Sequence, residues 1–261
     1  MNEAHRRACE LIWELWQNGN VTEGLPAELR PGTRAEAYAI QSGFETFSSK
    51  PRYGWKIAAT SKAGQTHIGV DGPLAGRILA ERVAGDGDMV SISDNRMSVV
   101  EPEFAFRLAH SLGPRDTTYE ADEVLEAAAD LHLCLELPDS RFTDFAGVGG
   151  PCLIADNACA RDLVVGRAVT ADWRDIDLAG HSVTATVGRR YTREGNGRNV
   201  LGDPGIALAW LVNEVTALGL TLDEGELITT GTCAVPLEVE AGDRVRADFG
   251  ILGTVSVHIS G

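Results

Sequence analysis

"SVVEPEFAFRL", residues 98–108, is the stretch on which the reading of this chain turns. It is apolar enough for burial and lacks a helical period, yet it carries two glutamates. Side chains alternate along a strand, so Val100, Pro102, Phe104, Phe106 and Leu108 share one face. Glu101, Glu103, Ala105 and Arg107 take the other. Carboxylates two residues apart on a strand stand roughly 6.5–7 Å from one another and repel if both are ionised and dry. Either this face is wet, the ordinary place for an E-x-E pair on an antiparallel sheet, or a cation sits between them.

A second apolar run, "HLCLELPDSRF" (132–142), sets Leu133, Leu135 and Leu137 on one face and His132, Cys134 and Glu136 on the other. A third carboxylate therefore lies on a second strand. Three oxygen donors of this kind suit a hard divalent ion with open positions, although spacing alone does not make the two strands neighbours. "YGWKIAAT" (53–60) poses the same question with the opposite charge, because Lys56 is flanked by Trp55 and Ile57. It either snorkels from a sheet edge or sits beside a metal and a substrate carboxylate, where its pKa could be tuned for proton transfer.

The remaining chain supplies the setting. Ala8, Leu11, Ile12 and Leu15 recur at helical spacing, and "TRAEAYAIQSGF" (33–44) opens with the capping box Thr33…Glu36. After Pro51, short apolar runs broken by glycine indicate strands and turns. One helix is expected around Glu120–Leu131. Another runs from the N-cap Asp203 and Pro204 to a stop at Gly219. Strands resume at "ELITTGT" (226–232) and "DRVRADFGILGTVSVHI" (243–259). This order argues for an α+β fold with a curled or sandwiched antiparallel sheet rather than a doubly wound one.

At 261 residues, 44% hydrophobic and 23% charged, the chain has ample material for a core. A net charge of −15 argues against nucleic acid, and no stretch has the length and purity of a transmembrane helix. The N-terminus, with Glu3, Glu10 and Glu14 in its apolar pattern, makes a poor signal peptide, so a cytoplasmic location is expected. Five cysteines without a CxxC pair read as reduced thiols. No P-loop, GxSxG or Rossmann glycine pattern is present. His67, His110 and His132 show no metal-ligand spacing and read as structural.

"YGWKIAAT", "IGVDGPLAGRIL" (68–79), "VEPEFAF", "LELPDSRF", "IADNACA" (154–160) and "FGILGTVSV" (249–257) follow one another in the order seen in the 2-keto-4-pentenoate hydratase family, within the fumarylacetoacetate hydrolase superfamily. The chain resembles this family from about Lys56 to its C-terminus. The resemblance implies a mixed β-sandwich roll, fumarylacetoacetase C-terminal-like, with a small helical N-terminal lobe. In domain terms, residues 1–85 would form that lobe with the lysine-bearing strand, and 86–261 the metal-binding roll. Glu101, Glu103 and Glu136 match the family's ligands of Mg²⁺ or Mn²⁺, and Lys56 matches its catalytic lysine. The implied reaction adds water to a 2-hydroxy-2,4-dienoate, giving a 4-hydroxy-2-oxo acid; close relatives decarboxylate 4-oxalocrotonate-type diacids. A 2-oxo acid can chelate the ion, which would act as a Lewis acid while Lys56 moves protons. Arg141 is a further candidate to offset the site's negative charge.

This chain departs from the family at named positions. Leu74, in "PLAG", stands where a hydratase aspartate is expected. Asp71 lies three residues earlier and reads either as its substitute or as a turn residue. Cys159 and Ala160 replace two serines of many relatives, and Cys159 reads as a small buried residue rather than a nucleophile. Thr230, with Gly231 and Thr232, resembles a loop near the substrate, though a Thr-Gly-Thr is also a plain strand-to-turn junction. Asp71, Leu74, Arg141, Cys159 and Thr230 are thus the substrate-side candidates. The readings left open are hydratase, decarboxylase, acylpyruvate or oxaloacetate chemistry, and a non-catalytic 2-oxo acid-binding subunit. Of these, C–C hydrolysis of an acylpyruvate lacks its customary catalytic histidine here. Homo-oligomers are expected by resemblance, as are complexes with a pathway decarboxylase or hydratase.

Overall fold

A computed structural model describes residues 1–261. The chain begins with helices α1 (Glu3–Gln17), α2 (Arg34–Gln41) and α3 (Phe44–Phe47). Asn2 caps α1 by accepting from the His5 N–H, and Ala8, Cys9, Ile12 and Trp16 bury one stripe of it. The Thr33–Glu36 capping box forms as the sequence predicts.

The chain then passes through β1 (Arg52–Ala58), α4 (Lys62–His67), β2 (Leu74–Leu79), β3 (Val83–Gly85) and β4 (Met89–Ser91). Next come β5 (Val99–Leu108), α5 (Ala121–Glu126), β6 (Ala128–Leu137), α6 (Gly150–Ala155) and β7 (Asp162–Ala168). A hairpin of β8 (Ser182–Val187) and β9 (Tyr191–Asn196) leads to α7 (Pro204–Ala217). The chain closes with β10 (Leu227–Thr232), β11 (Leu237–Glu238), β12 (Arg244–Asp248) and β13 (Thr254–Ser260).

These strands form two sheets. The larger has the order β2-β1-β10-β5-β6-β7-β3, with β11 added to the end of β5. The smaller has the order β4-β13-β12-β8-β9. Most pairs are antiparallel, but β1–β10, β3–β7 and β4–β13 are parallel, so both sheets are mixed. The sheets pack through β13 against β6 and β7, and Phe104 meets Phe249 edge to face at 5.1 Å. One apolar core runs from α1 and α2 through the sandwich to α7. Strands β1, β2 and β3, all before residue 86, belong to the same sheet as β5 and β6. No helix is long and apolar enough to cross a membrane.

Two expectations about local structure meet different outcomes. α7 has Asp203 as N-cap, Pro204 in the first turn and Gly219 at φ 77° beyond its end, as its sequence punctuation indicates. The helix expected over Glu120–Leu131 is corrected: α5 ends at Glu126, and β6 begins at Ala128. The alanine run 127–129 favours helix locally, but Ala128 and Asp130 pair with Leu108 and Arg107 of β5, and the sheet ladder overrides local propensity.

Candidate metal centre and its lysine

The alternation expected of residues 98–108 is present. Phe104 and Phe106 face the sandwich interior, while Ala105 lies on the opposite, outer face with Cys134 and Leu227. β5 and β6 are antiparallel neighbours, with Glu101 directly opposite Glu136 and Glu103 opposite Cys134. The pairing left open by the sequence thus brings all three carboxylates to one face, with ligand atoms within 4.8 Å of one another. At that separation, and an effective dielectric near 20, each ionised pair costs roughly 3.5 kcal/mol. Glu103 and Glu136 are buried, and Glu101 is partly buried.

The cluster responds to this crowding. Burial, then Glu136, push Glu101 up to about 7 against the pull of Lys56. Burial, then Glu136 and Glu101, lift Glu103 well above the usual carboxylate range. One oxygen of Glu103 accepts from the Gly231 N–H at 2.9 Å, and one of Glu136 lies 2.9 Å from Lys56 Nζ. The other two, Glu103 Oε1 and Glu136 Oε2, are buried without a partner. An all-oxygen set with orphaned buried atoms fits a hard divalent cation, which would satisfy them and offset the repulsion.

Lys56 does not snorkel from an edge, because β1 lies between β2 and β10. It is buried, and its ammonium bridges Glu136 and the Ala158 carbonyl, the latter at 3.0 Å. Burial is the largest influence on it and pulls its pKa down. Glu136, Glu101, Cys159 and Glu103 outweigh that pull and hold it above the ordinary lysine value. An ammonium has three N–H donors, so two engaged partners leave one for a ligand. Gly76 of β2 pairs with Lys56, and a side chain there would meet the Asn157 carbonyl at 2.4 Å.

The turn that supplies the Ala158 carbonyl contains three consecutive non-glycine residues at positive φ: Asn157 (57°), Ala158 (50°) and Cys159 (61°). Such backbone costs on the order of 1–3 kcal/mol per residue and persists only where its surroundings impose it. The buried Asn157 side chain accepts from the Arg77 N–H and donates to the Arg77 carbonyl, mimicking a neighbouring strand. The buried Asp156 accepts from Ser140, from the Arg141 backbone and from the Arg141 guanidinium. Arg141 also donates to the Asp156 and Ala160 carbonyls and lies 4.6 Å over the Trp16 ring. Arg141 thus has its hydrogen bonds on the turn rather than on the carboxylate cluster.

The other candidates divide. Leu74 is buried and pairs with Ala58, two residues along from the Lys56–Gly76 pair, so it shares the lysine's face. Cys159 adjoins Lys56, and burial pushes its thiol up to about 12, which keeps it un-ionised. Asp71 is exposed in the turn before β2, and its charge acts on Arg34. Thr230, the substrate-side candidate on β10, does not share the cluster's face. Three residues of β10 (Thr230 to Thr232) take up the space of two on β5, a bulge opposite Phe104. Thr230 falls on the interior face, and its hydroxyl donates to the Phe104 carbonyl at 3.0 Å. The same bulge turns the Gly231 N–H toward Glu103. Of the histidines, His67 and His110 are exposed, and His132 is 2.9 Å from the Gly166 carbonyl through Nδ1. All five cysteines are free thiols.

Sequence reasoning passes over the Ala158 carbonyl and the Gly231 N–H, which are backbone groups with no signature in residue type.

Comparison with known proteins agrees with this architecture. The Fumarylacetoacetate (FAA) hydrolase C-terminal family matches residues 79–260, more than half of the chain. The 2-keto-4-pentenoate hydratase 1 of Dechloromonas aromatica (strain RCB) is 32% identical over 95% of this chain and 94% of its own. A 4-oxalocrotonate decarboxylase of Pseudomonas sp is 28% identical over 80% of this chain and 78% of its own. Among solved structures, 4-oxalocrotonate decarboxylase from Pseudomonas putida G7, complexed with magnesium and adipate, superposes with a TM-score of 0.89. It is 24% identical and covers 99% of this chain and 98% of that chain.

Proposed function

Since the chain belongs to the fumarylacetoacetate hydrolase C-terminal family, with a 2-keto-4-pentenoate hydratase similar to it over nearly its whole length, we propose that it is a divalent-metal-dependent lyase that hydrates a 2-hydroxy-2,4-dienoate to a 4-hydroxy-2-oxo acid. The observation that carries this reading is the buried three-carboxylate cluster answered by one buried lysine. Glu101, Glu103 and Glu136 would hold Mg²⁺ or Mn²⁺, and the bound ion supplies Lewis acidity toward the oxygens of a 2-oxo acid. Lys56 is the proton-transfer group. Its third N–H is free for a ligand, while Glu136 and the Ala158 carbonyl fix the position of Nζ. Hydration requires a proton at the far carbon of the dienol, followed by water at the position then activated. Burial of Lys56 and Glu103 keeps bulk water from both groups.

A second reading is favoured by a specific residue. Leu74 lies on the Lys56 face where a hydratase aspartate is expected, so water activation lacks its usual acid. Decarboxylation of a 4-oxalocrotonate-type diacid would use the same carboxylates and lysine without that group. If acid–base chemistry is lost altogether, the chain is a 2-oxo acid-binding partner of such enzymes. We place the protein in the cytoplasm, as a homo-oligomer able to associate with a pathway hydratase or decarboxylase.

The test follows the ultraviolet absorbance of 2-hydroxypenta-2,4-dienoate with Mg²⁺, Mn²⁺ or EDTA and identifies the product. Metal-dependent 4-hydroxy-2-oxopentanoate is the expected result. Release of CO₂ from 2-oxohex-3-enedioate in its place would overturn hydration in favour of decarboxylation. Binding without turnover of either compound would make the chain a binding subunit.

A further inference from the structure

The outer face of the large sheet carries a third orphaned polar atom besides the two carboxylate oxygens. Thr229 Oγ1 is fully buried and has no hydrogen-bond partner. Its position follows from register. Thr229 pairs with Ala105 of β5, which lies on the Glu103 face. On its other side, the parallel ladder Gly54↔Leu227, Trp55↔Ile228 continues to set Lys56 beside Thr229. Strands β10 and β5 lie between β1 and β6 in the sheet, so Thr229 lies on the face across which Lys56 meets Glu136.

Other donors around it are engaged. The Thr232 hydroxyl donates to the Ala234 carbonyl, the Gly231 N–H to Glu103, and two Lys56 N–H groups to Glu136 and Ala158. A buried hydroxyl without a partner destabilises the fold, a cost that a valine of the same shape would avoid. Two orphaned carboxylate oxygens want a cation, whereas an orphaned hydroxyl on the same sheet face has a proton to give to an oxygen acceptor.

We propose that Thr229 is a substrate-binding residue whose hydroxyl donates to an anionic oxygen of the 2-oxo acid head group, selecting ligands that carry an oxygen there. This deepens the proposed function and rests on its 2-oxo acid reading. A site that offers a buried donor rejects ligands lacking the acceptor, because the donor is then left unpaired.

The test uses oxalate as the probe, titrated calorimetrically into Mg²⁺-loaded full-length protein, for wild type, Thr229→Val and Thr229→Ser. Thermal melts of the metal-free proteins accompany it. The expected result is an oxalate affinity about tenfold weaker for Thr229→Val and within about threefold of wild type for Thr229→Ser. The Thr229→Val melting temperature should not fall, since the lost hydroxyl had no protein partner. Equal oxalate affinity in wild type and Thr229→Val would overturn the role of Thr229 and leave the 2-oxo acid reading standing. Failure of wild type to bind oxalate with Mg²⁺ would overturn both.

Discussion

The two faces of β5 and β6 are made by the same twenty residues, yet they do opposite things. The interior face, with Phe104, Phe106, Leu133 and Leu135, is apolar and packs against the smaller sheet. The outer face, one residue out of step, buries Glu103 and Glu136 beside Lys56 and leaves three polar atoms unpartnered. The interior face lowers the free energy of the fold. The outer face raises it, holding repelling charges in place until a ligand compensates them. Stability and chemistry thus share two strands and separate by the alternation of side chains along each.

That separation is open to direct attack. The largest effect is expected for Glu136→Ala, which removes a carboxylate and the partner of Lys56. Metal-dependent turnover should fall by on the order of 10³-fold or more while circular dichroism stays native. Full activity without bound metal would break the assignment of the outer face. Lys56→Met should lower kcat by about 10²–10⁴-fold and change oxalate affinity far less, read by steady-state kinetics and calorimetry. The reverse pattern would make Lys56 a binding residue. On the interior face, Phe104→Ala should cost about 3–5 kcal/mol in urea unfolding and leave kcat per folded molecule unchanged.

The smallest effect concerns pH. The Glu101 pKa is raised from its ordinary 4.5 to about 7, and Glu103 is also raised. The stability these groups contribute is therefore fully present below about 4.5 and is lost as pH rises through 7. In EDTA, the melting temperature of Glu101→Gln relative to wild type should climb across that interval, and saturating Mg²⁺ should abolish the trend. A flat difference would show that Glu101 feels neither burial nor Glu136.

Much of this was readable from residue type. The capping box at Thr33, the punctuation of α7 and the placing of Glu101 and Glu103 opposite Phe104 all follow from local periodicity. The adjacency of β5 and β6 was not, since no local pattern encodes which strands pair. Ala128 and Asp130 show the same limit from the other side, because their strand conformation comes from β5. Thr229 and Thr230 are chemically identical letters without apolar alternation around them. Only the bulge and the Ala105 register decide which one shares the cluster's face. The left-handed turn at 157–159 has no glycine to announce it. It is held by Asn157 and by the Arg141–Asp156 pair, contacts made across 80 and 15 residues of chain.

The direct Glu101–Glu136 register has a consequence for how such a protein can diverge. The donors proposed for the cation lie on one antiparallel pair and are fixed by a single ladder. The groups proposed to surround a substrate ride on other segments: Lys56 on β1, Leu74 on β2, Thr229 on β10 and Cys159 on the turn. A lineage can therefore exchange the latter one at a time, changing which bond is made or broken, while inheriting the ion-binding pair intact.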